Sequence, residues 1–152
     1  MIGMEAFYTR QRANEGIKLP LYLPTGEPTE HWIHIRGIDS DEFRLAEVES
    51  RRDALRVASI EDPRERAKAL EEAKIDLLAH LVIGWSFDKE CTHEAVKEFL
   101  REAPQIADAI DRAASQRALF FAKESSNSQN SPKPSSDSTN DQKGVDKPSE
   151  NT

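Results

Sequence analysis

The stretch DPRERAKALEEAKIDLLAHLVIGW, residues 62–85, decides the fold class. Its apolar positions Ala67, Leu70, Ala73, Leu77, Leu78, Leu81 and Val82 recur at the spacing of one helix face. Asp62 supplies a side-chain cap, and Pro63 falls at the first helical position, where a missing N–H costs nothing. The spacing predicts a helix that begins at residues 62–63 and ends near Gly84.

The chain on either side extends this pattern. On the N-terminal side, Gly37-Ile38-Asp39-Ser40 is a break, and Asp39 as cap places Glu42 at the third helical position, as in a capping box. The helix expected over residues 40–59 has a ragged apolar face of Phe43, Leu45, Val48 and Leu55. Further back, Ile17, Leu19, Leu21 and Leu23 alternate with Lys18, Pro20 and Tyr22, and residues 31–36 alternate again after the turn Pro24-Thr25-Gly26-Glu27-Pro28. That is a β-hairpin. Pro20 has no N–H to donate, so the first strand belongs at an edge. On the C-terminal side, Thr92 caps a helix through Glu102, with Ala95, Val96, Phe99 and Leu100 apolar. Pro104 opens a last helix with Ile106, Ile110, Ala113, Ala114, Phe120 and Phe121 inward. The expected fold is mostly α, of α+β character: a small N-terminal β-hairpin packed on about four helices. An N-terminal arm spans residues 1–15 and the hairpin plus helical domain residues 16–124. No internal repeat is present.

Residues 125–152 read differently. Val145 is their only aliphatic side chain, set among Ser, Asn, Asp, Lys and Pro. Too little apolar surface is available there to offset the entropy of ordering, so this segment is expected to be a disordered tail.

Composition narrows the function. A formal net charge of −7 over 152 residues argues against phosphate-driven nucleic-acid binding, and Glu47, Glu49 and Asp53 interleave with Arg51, Arg52 and Arg56. One cysteine, Cys91, allows no intrachain disulfide and fits a reducing compartment. Residues 1–12 hold no apolar core of signal-peptide length. The longest apolar run, residues 77–85, is interrupted by His80 and is too short to span a bilayer. The expectation is a soluble cytosolic protein without nucleic-acid or membrane partners.

No catalytic constellation emerges, and an enzyme is not expected. His31 and His34 sit three apart on a strand and point to opposite faces. Cys91-Thr92-His93 supplies two ligands where zinc needs three or four, and His80 is the only other histidine outside the hairpin, so no metal is expected. No nucleophile elbow or phosphate-cradling glycine loop occurs, and no cofactor is expected. Glu72 and Asp76 share a helix face and read as its wet side. The aromatic residues carry the remaining signal. Trp85 and Phe87 stand at a helix end, where they either plug the core or project as anchors; Phe99 lies on a short helix. Phe120 and Phe121 lie about 100° apart on a helix, so both are inward only under broad cover. These five residues are the candidate partner-binding set.

The order of landmarks resembles the tail assembly chaperones of long-tailed bacteriophages, the siphophage-type minor tail assembly proteins. The carriers are Gly84-Trp85-Ser86-Phe87, then Glu94-Ala95-Val96-Lys97-Glu98-Phe99-Leu100, then Ala103-Pro104-Gln105-Ile106-Ala107-Asp108-Ala109-Ile110, then Arg117-Ala118-Leu119-Phe120-Phe121. Upstream, Gly16-Ile17-Lys18-Leu19-Pro20-Leu21, Pro24-Thr25-Gly26 and Gly37-Ile38-Asp39-Ser40 look like the opening of such proteins. The likeness covers most of residues 15–122. It departs at Leu119, where similar proteins often carry Asn. The resemblance implies a chaperone that coats and solubilises the tape-measure protein in the host cell cytoplasm. It also implies recruitment of tail-tube subunits and absence from the mature virion. Many such proteins exist in two lengths through a ribosomal frameshift, the longer form contacting the tube protein. The low-complexity tail sits where that extension would begin, which makes this chain a candidate short form. Self-association stays open. The alternatives are a structural or connector component of the tail, and a small nucleic-acid-binding or host-directed regulator.

Overall fold

The computed structural model describes residues 1–121; the expected tail, residues 125–152, lies outside the described residues. The elements run as a 3₁₀ turn (Met4–Phe7), α1 (Arg10–Glu15), β1 (Ile17–Tyr22), β2 (Pro28–Ile35), α2 (Asp41–Ala58), α3 (Pro63–Ala79), β3 (Val82–Trp85), α4 (His93–Glu102), α5 (Pro104–Ser115) and a closing 3₁₀ turn (Arg117–Phe120). The mostly helical fold with a small N-terminal sheet is the one the sequence predicts.

The hairpin forms with β1 at the edge. Ile17 pairs with Ile35, Leu19 with Ile33 and Pro20 with Trp32. The register shifts between Pro20 and Tyr22, where Pro20 leaves a gap in the ladder. Gly26, at φ 96°, closes the turn through its N–H to the Leu23 carbonyl. Gly16, at φ 78°, joins α1 to β1; a Cβ there would collide with the Ile35 carbonyl.

The sheet has a third strand that periodicity concealed. The helix predicted to run to Gly84 ends at Ala79, and Val82–Trp85 pairs antiparallel with β2, giving the order β1-β2-β3. Leu81 and Val82 fit a helical stripe equally well, because a short apolar run satisfies either period. Tertiary hydrogen bonds decide. The Arg36 N–H donates to the Leu81 carbonyl at 2.6 Å, and its guanidinium donates to the His80 carbonyl at 2.8 Å. The end of α3 is therefore capped by β2's exit. Ser86 extends the pairing, its Oγ accepting from the Trp32 N–H at 2.9 Å.

The α2 cap is Ser40, not Asp39. Ser40 is wholly buried, and its Oγ accepts from the Phe43 N–H at 3.2 Å. Asp39 is occupied elsewhere: Arg117 donates two bonds to it at 2.6 and 2.9 Å, and Arg44 one at 3.0 Å. The Arg117 hydrogen bond holds the Asp39 carboxyl far below the usual carboxylate range, against the opposing effect of burial. This ion pair ties the start of α2 to the closing turn. Asn14 ties α1 to the same point, its Oδ1 accepting from the Asp41 N–H at 2.8 Å. The predicted caps Asp62 and Thr92 are in place, accepting from the Glu65 and Ala95 N–H groups.

The core lies between the inner face of the sheet and the C-terminal helices. Ile33, Ile35, Leu81 and Ile110 are fully buried, with Leu100 and Val96 nearly so. The α2–α3 pair is only half anchored to it. Phe43, Ala46 and Leu78 reach the core at one end. Toward the other end Leu55 is 76% and Leu70 63% exposed, and Leu45 and Val48 are exposed as well. The face expected from Leu45, Val48 and Leu55 therefore points away from the core; α2 buries Phe43, Ala46 and Val57 instead.

Candidate functional site

Three of the five aromatic candidates meet. The Trp85 ring centroid lies 5.3 Å from Phe87 and 5.7 Å from Phe99, and Phe87 lies 5.2 Å from Phe99. His31 covers Phe87 at 4.6 Å. The cause is β3: pairing Ile33 with Trp85 and bonding Ser86 to Trp32 brings Trp85 and Phe87 to Phe99 of α4. All three rings are half-buried and pack against the core, and the Trp85 indole N–H donates to the Lys89 carbonyl at 2.7 Å. Phe120 stands apart. It is 3% exposed, in the closing turn, and a Cβ on Gly37 would lie 3.3 Å from its ring. Phe121 is 40% exposed. The adjacent aromatics thus divide into one buried ring and one open to solvent.

The open concave surface lies along α3. On one side, α3 faces α4 and α5 across a groove of about 870 Å³, lined by Ile60, Ala67, Ile75, Leu78, Leu100, Pro104 and Ala107. On the other, α2 and α3 flank a groove of about 740 Å³, lined by Ala54, Val57, Ala58, Ala67, Leu70, Ala73 and Leu77. The alanines on the walls leave space unfilled, because a methyl group covers little of the facing helix. Charged side chains rim both: Lys68, Glu71, Lys74 and Arg101 on the first, Arg66 and Glu71 on the second. Arg101 donates to Glu72 at 2.8 Å and pulls its carboxyl below the ordinary range. An apolar floor with a solvated charged rim accepts the apolar stripe of an amphipathic helix.

Cys91 is half-buried, and burial raises its thiol above the ordinary value. A neutral thiol is a poor nucleophile. His31 and His34 go to separate partners, the Ser86 hydroxyl and the Glu15 carbonyl, each at 2.9 Å.

A family model described as phage tail assembly chaperone matches residues 12–124. The chain belongs to that family. No curated protein and no solved structure matches it. In this tail assembly chaperone the matched span takes in the sheet, α2 to α5 and the closing turn.

Sequence reasoning named the rings but not their meeting, and it missed the grooves of the chaperone. The legible trace was the run of small residues, Ala54, Ala58, Ala67 and Ala73, opposite single leucines. Such a run reads equally as a tight helix–helix seam, and only the placement of α2, α4 and α5 shows which it is.

Proposed function

We propose that this tail assembly chaperone acts in the host cell cytoplasm by laying amphipathic segments of the tape-measure protein into the two grooves beside α3, keeping that client soluble and presenting it to tail-tube subunits. The observation that carries the reading is the pair of apolar grooves beside α3, one of them edged by Leu70, which is 63% exposed among the described residues. A helical client contributes its own apolar stripe as cover, and the charged rims keep the complex dissolved. Trp85, Phe87 and Phe99 form a second contact patch, and Phe121 offers a further exposed ring. Phe120 serves by holding the closing turn in place.

The test is co-expression with the tape-measure protein of the same locus and recovery from the soluble fraction. The native chain is expected to solubilise and co-purify with the client. Leu70→Asp, on the wall of the α2–α3 groove, is expected to diminish this sharply while the chaperone keeps its circular dichroism spectrum and melting temperature. Undiminished recovery with that folded variant would remove this groove from the proposal.

A further inference from the structure

The turn from α3 into β3 brings together residues that are far apart in sequence. Asp76 stands in the last turn of α3, His80 four residues on is its C-cap, and His93 is the first residue of α4. His93 Nε2 lies 2.8 Å from Asp76 Oδ1, and His80 Nε2 lies 4.0 Å from Asp76 Oδ2. The two imidazole rings are 4.6 Å apart. One ligand atom from each of the three lies within 4.8 Å of the others. A tetrahedral ion with bonds of about 2.0–2.1 Å needs its donors about 3.3 Å apart. The set therefore closes on an ion by side-chain rotation alone. The side chains are 26–48% exposed, so an ion has a direct path in from solvent.

We infer that Asp76, His80 and His93 form a binding site for a divalent transition-metal ion of the zinc type, with Glu42 orienting His80 from α2. Glu42 Oε2 lies 3.3 Å from His80 Nδ1. That contact keeps the proton on Nδ1 and leaves Nε2 free for a metal, the usual arrangement of a carboxylate behind a ligating histidine. Two imidazoles and one carboxylate suit zinc, cobalt or nickel rather than magnesium or calcium, which prefer oxygen donors throughout. Lys97 is the competitor. Its Nζ lies 3.5 Å from Asp76 Oδ1 and 3.3 Å from Glu72 Oε2, so it retains Glu72 when an ion takes Asp76. Three protein ligands leave an open position for water or a donor from a client. The ion would clip the end of α3 to the start of α4 and hold residues 81–92, which carry β3, Trp85 and Phe87.

The experiment uses the untagged full chain, freed of metal with a chelator, titrated with zinc chloride in a calorimeter and with cobalt chloride in a spectrophotometer. Expected are one saturable zinc ion per chain, visible bands of four-coordinate cobalt, a melting temperature that rises with zinc, and no response to magnesium. His93→Gln and His80→Gln, each checked for folding by circular dichroism in chelator, lose the one-to-one binding. Glu42→Gln keeps the stoichiometry but weakens binding about 10-fold or more. Lys97→Gln binds no more weakly than the native chain. Absence of saturable uptake, uptake unchanged by His93→Gln in a folded protein, or loss through His31→Gln instead overturns the site. Unchanged affinity in Glu42→Gln overturns its orienting role, and weaker binding in Lys97→Gln overturns the ligand assignment.

Discussion

The α4–α5 layer and the α2–α3 pair are both helical, yet they treat their apolar residues in opposite ways. In α4 and α5, Val96, Leu100, Ile106 and Ile110 are all buried in the core that the sheet also enters. In α2 and α3, Leu45, Val48, Leu55 and Leu70 are left exposed, and alanines line the space between the helices. One layer holds the fold together. The other spends apolar side chains on surface that its own neighbours leave uncovered. Under the proposed function the client covers that apolar surface while the other layer keeps the body stable without it.

That contrast can be broken by substitution. The largest effect is expected at Ile110→Ala, which leaves a void at the fully buried junction of sheet and helices. A loss of about 2–5 kcal/mol should appear in urea unfolding. A smaller loss, about 1–2 kcal/mol, is expected for Ser40→Ala, since the buried hydroxyl is the cap of α2. It tests whether the anchored end of α2 belongs energetically to the core.

Asp39 sharpens the boundary between the two regions. Its folded value is depressed, by the Arg117 hydrogen bond first. A depressed carboxylate contributes stability that is present above its unfolded value, near 3.8, and lost as pH falls from there through the folded value. Asp39→Asn should therefore lower the melting temperature by a few degrees near neutral pH, and the difference should vanish in strong acid. A difference that persists at low pH would mean that the side chain acts by shape and not by charge.

The smallest stability effect is expected at the exposed end. Leu55→Ala and Leu70→Ala should each move unfolding by no more than about 0.5 kcal/mol. Leu70→Ala, on the groove wall, should nonetheless reduce recovery of soluble client. A loss like that of Ile110→Ala would show that these leucines belong to the core after all.

Local chemistry explains which parts of this molecule were legible. The hairpin, its edge proline, the caps Asp62 and Thr92 and the opening of α5 at Pro104 each rest on a few adjacent residues whose backbone preferences agree. The same residues led to errors where a local preference met a stronger distant partner. Asp39 is a good cap, but two arginines claim it, and Ser40 takes over. Leu81 and Val82 extend a helical stripe, but β2 has an open edge beside them. The candidate rings Trp85, Phe87 and Phe99 were named from their places along the chain, and their meeting depends on that third strand.

Sequence by itself determined the class of fold, the edge position of β1 and the family likeness, because these depend on period, turn chemistry and landmark order along the chain. Only the tertiary structure decided which leucines face water, that two grooves flank α3, and that His93 comes to Asp76 and His80. Those facts depend on how whole helices are placed against one another. A helix presents a stripe whatever stands opposite, and its neighbours settle whether the stripe is covered.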